Sequence, residues 1–330
     1  MSIIINHIEI NNFKSIRHLE LSEFRKINLF IGKPNVGKSN LLEALSLFNT
    51  SIFKSEVREL PSKKIKEFVR FENEPELFFE GEIERRININ INNLECSIFK
   101  DNIRVLELDT HDNKYSNFVK GFFIEFHTNS NTRRPIIKSY CFKTSVKYQK
   151  DNNVYLTPPF GKNILQIIES LPNLKQTIIN WFRQYNLKIA SDASSHSLKV
   201  FKKINEDEIF LIPYTSIADT LQRVIFYKTA IQSNENSVLV FEEPEAHSFP
   251  PYIVEFTQEV INSATNQFFM ATHSPIIVAD FLENAREDLS IFMVDFKDGQ
   301  TVAKALSREE IEEVYKYGVD LFFNNEAYTA

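Results

Sequence analysis

The sequence contains little glycine and cysteine, and it has no long apolar run. Only seven of the 330 residues are glycine, which excludes a collagen-like repeat. The two cysteines, Cys96 and Cys141, form no CxxC pair, which excludes a disulfide framework and a cysteine zinc site. We expect both to be reduced thiols. No window approaches the roughly 18 uncharged apolar residues of a membrane-spanning helix.

The composition is that of an ordinary globular chain. Hydrophobic residues make up 43% and charged residues 25%, enough for one large domain or two small ones. The first residues, MSIIINHIEINNF, lack the basic flank and apolar core of a secretion signal, so we expect a cytoplasmic protein. A net charge of −6 argues against a protein that coats nucleic acid, although a local basic face remains possible.

Strand and helix signals alternate in two separated blocks. In the first, KINLFI precedes a turn containing Gly32 and Gly37, and LLEALSLF then repeats leucine with helical spacing. In the second, at about 209–281, β-rich apolar runs alternate with helical patterns. This alternation is typical of an α/β fold with a mixed, mostly parallel sheet flanked by helices.

The residues between the blocks have a different pattern. They are β-rich over 81–150 and helical over 160–190. We therefore predict a core of residues 1–80 and 206–330 that carries an inserted lobe at 81–205.

The stretch GKPNVGKS fits the motif GxxxxGK[ST] and lies between a predicted strand and a predicted helix. Glycines let such a loop curl so that its N–H groups face phosphate oxygens. We expect Lys38 to reach the β- and γ-phosphates and Ser39 to offer its hydroxyl to Mg²⁺. The alternative is a glycine turn that only caps a helix. The candidate nucleotide-binding residues are consecutive: Gly32, Lys33, Pro34, Asn35, Val36, Gly37, Lys38, Ser39 and Asn40.

Two later apolar strands end in polar residues. SVLVFEEPEAH places Glu242 and Glu243 at a strand end, where ligands bind in open α/β sheets. We expect Glu242 to hold Mg²⁺, through a water, and Glu243 to orient the attacking water. The apolar strand in FFMATHSP ends in the polar residues Thr272 and His273, and His273 can sense the γ-phosphate by a hydrogen bond. The alternatives are a solvated acidic turn and a histidine whose polar atoms the main chain satisfies.

Together these stretches resemble the ATP-binding-cassette (ABC) head of the SMC, RecF and OLD group of AAA-type ATPases. INNFKSI, GKPNVGKS, LVFEEPEAH and ATHSP carry the resemblance, in that order. It implies a P-loop NTPase of the ABC-head type that hydrolyses ATP with Mg²⁺, with Lys38, Glu243 and His273 as catalytic residues. It also suggests that Arg70 reaches the nucleotide. No NKxD motif is present, which disfavours a GTPase.

In this family two heads enclose two ATP molecules, which implies a homodimer. The matching signature loop is YTSIADTLQR, with Ser216 at a helix start facing the opposite γ-phosphate. Ile217 and Ala218 replace the usual small glycines, and Asp219 must cap the helix or pair with a base such as Arg223. The alternative is an amphipathic core helix with a serine cap.

Two departures from the family pattern predict slow hydrolysis. Glu242 replaces the usual aspartate, and Phe249 stands where related heads often have a second histidine. The residues after His273 are too few for the nuclease that OLD proteins append, and the chain has no long heptad arms. We therefore expect a separate effector, a nuclease or a toxin.

A basic stretch inside the predicted lobe suggests a second surface. It contains Arg133, Arg134, Lys143 and Lys147, and strand alternation in KSYCFKTSVKY puts the two lysines on the face opposite its aromatic residues. This face suits DNA or an acidic protein, and the alternative is a solvated edge strand.

Three functions remain open at this point. The first is a Mg²⁺-dependent ATPase that controls an effector, as in antiphage defence or a toxin–antitoxin-like system. The second is a RecF-like ATPase of DNA repair or chromosome maintenance. The third is a nucleotide-gated scaffold that scarcely hydrolyses ATP.

Overall fold

The structure is a computed structural model that describes residues 4–49, 58–60, 64–108, 114–128, 135–192 and 197–329. Its strands, in chain order, are β1 (Ile8–Phe13), β2 (Ile16–Leu21), β3 (Ile27–Ile31), β4 (Arg58–Leu60), β5 (Ile87–Ile91), β6 (Leu94–Leu108), β7 (Lys114–Thr128), β8 (Ile136–Tyr140), β9 (Lys188–Asp192), β10 (Ser197–Lys203), β11 (Ile209–Pro213), β12 (Ser237–Glu242), β13 (Gln267–Ala271), β14 (Leu289–Lys297) and β15 (Gln300–Ala305). Its helices are α1 (Lys38–Ser46), α2 (Ile164–Ser170), α3 (Pro172–Gln184), α4 (Asp219–Gln232), α5 (Pro250–Asn262), α6 (Pro275–Asn284), α7 (Arg308–Tyr317) and α8 (Asn325–Tyr328).

The central sheet is mostly parallel, which confirms the predicted fold class. Its strand order is β15-β14-β3-β13-β12-β8, and only the pair β14 and β15 is antiparallel. Strands β3 and β13 are buried at every position, as expected for strands covered on both faces.

Alternate side chains of β12 enter two different hydrophobic clusters. Leu239 and Phe241 pack with α4, α5 and α6, whereas Val238 and Val240 pack with α1 and the antiparallel sheet. This division follows from the two-residue period of a strand. The sheet is therefore held between two layers, and its carboxyl edge lies open between them.

A second six-stranded sheet is antiparallel and has the order β2-β1-β5-β6-β7-β4. Strand β1 pairs with β5, so the N-terminal hairpin forms one sheet with strands of the predicted lobe. A third sheet contains β11, β10 and β9. The division at 81 and 205 stays a prediction, and β8, which falls inside 81–205, pairs with β12 in the central sheet.

The predicted strand KSYCFKTSVKY is wrong beyond Tyr140. Strand β8 ends at Tyr140, and residues 141–150 form no strand. The Cys141 N–H that follows donates to the carbonyl of Pro159 at 2.9 Å and not to a neighbouring strand. Lys143 and Lys147 are nevertheless exposed. Arg133 and Arg134 lie outside the described residues.

The predicted helical region over 160–190 contains α2 and α3. Within the described ranges, no helix combines the length and the apolar character that crossing a membrane requires.

Candidate functional site

The loop between β3 and α1 requires its glycines. Gly37 has φ of +101°, and a Cβ there would lie 2.0 Å from Thr301 Oγ1. A Cβ on Gly32 would lie 2.1 Å from the carbonyl oxygen of Val294. Both close approaches leave room for hydrogen alone, so each of these positions requires glycine.

A chain of hydrogen bonds through the hydroxyl groups of Ser15 and Thr301 holds the loop in place. Asn40 Nδ2 donates to Ser15 Oγ at 2.6 Å, and Ser15 Oγ lies 2.6 Å from Thr301 Oγ1. Thr301 Oγ1 in turn donates to the carbonyl of Val36 at 2.8 Å. Each hydroxyl thus gives one hydrogen bond and accepts one. The sequence analysis missed Thr301, since no motif surrounds it.

The side chain of Lys38 is hydrogen-bonded to the start of the same loop. Its Nζ donates to the carbonyls of Gly32 at 2.9 Å and Lys33 at 2.7 Å. Burial lowers the pKa of Lys38, while Glu243 and Glu242 raise it. The Lys38 ammonium therefore binds two carbonyl oxygens, and an anion bound in the loop would replace them as its partner.

Ser39 and Glu242 lie in direct contact, although they are far apart in the chain. Ser39 Oγ donates to Glu242 Oε1. Arg70 Nη2 donates to the same oxygen at 3.0 Å. A hydroxyl and a carboxylate are the kind of oxygen ligand that Mg²⁺ takes. Among the described residues, no group of three or more His, Cys, Asp or Glu side chains forms a metal site, so such an ion would need further oxygens from a nucleotide.

Glu243 and His273 face each other at the ends of neighbouring strands. His273 Nε2 lies 3.5 Å from Glu243 Oε1, and both side chains are partly exposed. Glu243 has φ of +44°, and its N–H donates to the carbonyl of Ala271 at 2.9 Å. Burial lowers the pKa of His273, Lys38 lowers it further, and Glu243 raises it. The imidazole is thereby biased toward its neutral form.

Glu245 is a site residue that the sequence analysis missed. Its Oε1 accepts the Thr272 hydroxyl at 2.7 Å and the His273 N–H at 2.8 Å. Burial raises the pKa of Glu245, and the hydrogen bond from Thr272 lowers it. The only sequence signal was a third carboxylate in EEPEAH. Glu245 therefore holds the segment that presents His273.

Many of these groups line one cleft of ≈ 770 Å³, but the predicted site residues Gly32 and Glu242 do not. Asp295 and Phe296, which the sequence analysis did not propose, also line it. The predicted residues that line the cleft are Lys33, Pro34, Asn35, Val36, Gly37, Lys38, Ser39, Asn40, Arg70, Glu243 and His273.

Ser216 does not belong to this set. It ends a 3-10 turn, Tyr214–Ser216, and α4 begins only at Asp219. The prediction that Ser216 starts the helix is therefore wrong, because Ile217 is extended and separates the turn from α4. Arg223 Nη2 lies 3.8 Å from Asp219 Oδ2, one of the two arrangements expected for that carboxylate.

The fold and the cleft define a P-loop NTPase of the ABC-head type. The chain belongs to the family described as AAA ATPase domain, whose model matches residues 3–208. The matched range contains the phosphate loop and ends before Glu242, Glu243 and His273.

Solved structures support the fold. An SMC head bound to the C-winged helix domain of ScpA superposes with a TM-score of 0.51 at 12% identity, over 94% of this chain and 100% of that one. The SMC head domain of Thermotoga maritima gives 0.42 at 12% identity, over 92% and 100%. An Smc head with an extended coiled coil, bound to the C-terminal domain of ScpA derived from Pyrococcus furiosus, gives 0.48 at 12% identity, over 95% and 98%. Of these three scores the first exceeds 0.5, and that match supports the fold.

One curated protein also matches over a short segment. MJECL10, an uncharacterised protein of Methanocaldococcus jannaschii, is 50% identical over 44 residues. The match covers 13% of this chain and 20% of that protein.

Proposed function

We propose that this cytoplasmic protein binds ATP with Mg²⁺, hydrolyses it slowly, and pairs with a second copy in the ATP-bound state to control a separate effector. One observation carries the proposal: Lys38, Ser39, Glu243 and His273 come from three separate stretches of chain and line one cleft, and Glu242 contacts Ser39 beside it. The Lys38 ammonium and the Glu243 carboxylate both line it.

The residues fit the nucleotide and its metal. The loop offers N–H groups to phosphate oxygens, and Lys38 exchanges the carbonyls of Gly32 and Lys33 for phosphate. Ser39 and Glu242 would hold Mg²⁺, which neutralises phosphate charge when bound. Glu243 orients the attacking water and accepts its proton, while His273 contacts Glu243 and the terminal phosphate.

The proposed slow rate agrees with how Glu242 is held. Ser39 and Arg70 both donate to the same Glu242 oxygen, so these hydrogen bonds must rearrange before that oxygen can serve a cation. The proposed effector is a nuclease or a toxin, as in antiphage defence. Ser216 would then act on the site of the second copy, since it does not line the cleft of its own chain.

Two substitutions test the hydrolysis mechanism. Lys38→Ala should abolish ATP binding, because the cleft loses its buried ammonium. Glu243→Gln should bind ATP with nearly parental affinity, stop turnover, and accumulate a dimer in light scattering. The His247→Gln variant is the control, since His247 follows the same strand but does not line the cleft. If Lys38→Ala and Glu243→Gln both hydrolysed ATP like the parent protein, the assigned roles would be wrong.

A RecF-like function on DNA is the second candidate. The exposure of Lys143 and Lys147 favours it, because exposed cations in one short loop suit a phosphate backbone. A nucleotide-gated scaffold is the third, and single-turnover hydrolysis distinguishes it from the ATPase.

A further inference from the structure

Glu43 is a buried carboxylate on α1 that joins two cations from distant parts of the chain. Its side chain is only 6% exposed. Lys14 Nζ donates to Glu43 Oε2, and Arg70 Nε donates to Glu43 Oε1 at 2.6 Å. Lys14 Nζ also donates to the carbonyl of Arg70 at 2.6 Å. Glu43 and Lys14, called the Glu43–Lys14 pair below, therefore hold both the side chain and the main chain of Arg70.

Arg70 connects this pair to the cleft. Its side chain is 65% exposed, and its Nη2 donates to Glu242 Oε1 at 3.0 Å. Burial lowers the pKa of Arg70, but Glu242 and Glu43 together raise it above its usual value. Since a guanidinium is planar, a bond at Nε fixes the direction of the whole group.

A buried carboxylate is costly unless it is paired, and a purely structural acid could be replaced by apolar packing. Both oxygens of Glu43 instead bind cations, Lys14 and Arg70, and Arg70 lines the cleft. Glu43 itself lies on α1, the helix that begins at Lys38, so it is attached directly to the phosphate loop.

We propose that Glu43 is a positioning residue: together with Lys14 it holds the Arg70 guanidinium at the phosphate end of the cleft, where its Nη edge binds the terminal phosphate. The proposal rests on the ATP-binding function proposed above. Without nucleotide, the Nη edge of Arg70 donates to Glu242. The Nε edge donates to Glu43 both with and without nucleotide.

A double-mutant cycle tests this role. Purified parent, Glu43→Gln, Arg70→Ala and the double variant are compared for the Kd of a non-hydrolysable ATP analogue and for kcat and KM with ATP. Glu43→Gln should weaken analogue binding and reduce kcat/KM by roughly tenfold or more, the effect of losing a hydrogen bond between charged groups. The double variant should be no worse than Arg70→Ala, because both changes remove one unit.

Glu259→Gln is the matched control. Glu259 accepts from Lys228 Nζ, and its side chain is 21% exposed, but it lies on α5 and does not line the cleft. It should lower the unfolding temperature and leave analogue binding at the parental value. Parental binding and kcat in Glu43→Gln, beside an impaired Arg70→Ala, would overturn the proposal, as would effects that multiply in the double variant.

A second variant covers the case in which Glu43→Gln does not fold. Arg70→Lys keeps the charge but cannot engage Glu43 and the phosphate with two edges of one plane, so it should lose as much analogue affinity as Arg70→Ala. Affinity equal to the parent would overturn the orienting role. A parent protein that binds the analogue but hydrolyses no ATP would refute the ATPase proposal, while the affinity comparison would still decide the role of Glu43.

Discussion

Glu245 accepts the main-chain N–H of His273 at 2.8 Å, so a carboxylate that touches no proposed ligand sets the position of a proposed catalytic histidine. Its second oxygen, Oε2, is buried and has no hydrogen-bond partner among the residues that the structure describes. An unsatisfied buried oxygen costs free energy, and the two bonds to Thr272 and His273 offset that cost.

Glu245→Ala should reduce kcat for ATP by roughly tenfold or more and change the Kd for ATP by much less. The substitution removes the acceptor that holds His273 beside Glu243, and it leaves the phosphate loop intact. Steady-state kinetics and equilibrium binding measure the two effects. Glu310→Ala is the control, because Glu310 also accepts a main-chain N–H, from Ser307 at 2.7 Å, but at the start of α7. A parental kcat in Glu245→Ala would contradict this prediction.

Gly37→Ala should destabilise the fold more than Gly299→Ala does. Both glycines have positive φ, +101° and +77°, but an added Cβ meets Thr301 Oγ1 at 2.0 Å only at Gly37, and nothing lies within 4 Å at Gly299. The backbone strain costs about 1–2 kcal/mol at each position. The contact with Thr301 should add about 1–3 kcal/mol at Gly37. Urea unfolding compares the two, and equal losses would show that the loop is not tightly packed at Thr301.

The stability of the fold should depend on the ionisation of Lys138. This residue is 4% exposed on β8, its Nζ donates to Asn234 Oδ1, and burial lowers its pKa from 10.5 to about 8. Between these two pH values Lys138 is protonated in the unfolded chain and neutral in the folded chain. The contribution of Lys138 to the free energy of unfolding therefore rises as the pH goes from 8 to 10.5, and it is lost as the pH falls back to 8.

Lys138→Met isolates this effect. The free energy of unfolding of the parent, minus that of the variant, should increase as the pH is raised from 8 toward 10.5. Chemical unfolding at several pH values measures the difference, and tyrosine titration cancels because both proteins share it. A difference that does not change with pH would show that Lys138 gains no proton when the protein unfolds.

The DNA hypothesis predicts a specific salt effect. Reversing charge with Lys143→Glu and Lys147→Glu should weaken DNA binding and make it less sensitive to salt, by roughly one unit of slope per lost phosphate contact. Fluorescence anisotropy across a salt series measures both quantities. The pair Lys202→Glu and Lys203→Glu carries the same charge change on exposed residues of β10 and serves as control. Unchanged affinity in the first pair would exclude this face as the DNA contact.

The fold was predictable because its signals are local. The glycine loop, the strand before it and the helix after it are contiguous in sequence, and β12 and β13 each carry an apolar run that ends in polar residues. Carboxyl ends of parallel strands meet at one edge, so the sequence also predicted that Glu242 and His273 lie near the loop. The proximity of Ser39 to Glu242 agrees with that expectation.

Two predictions failed where a local pattern met a tertiary constraint. Alternation in KSYCFKTSVKY suggested a long strand, but within the described ranges no strand pairs with the chain beyond Tyr140, and the Cys141 N–H donates to the carbonyl of Pro159 instead. The serine of YTSIAD suggested a helix start, but the helix begins at Asp219. Hydrogen-bond partners decided both boundaries, and a single sequence does not specify them.

The sequence by itself determined the class of fold and the phosphate loop, because both depend on residue spacing and on the conformational freedom of glycine. Only the tertiary structure decided which side chains support that loop and the residues around the cleft. Thr301 reaches Val36, Glu43 joins Lys14 to Arg70, and Glu245 holds His273. Contacts of this kind depend on strand order, register and burial, and these are set when the sheets and helices pack together.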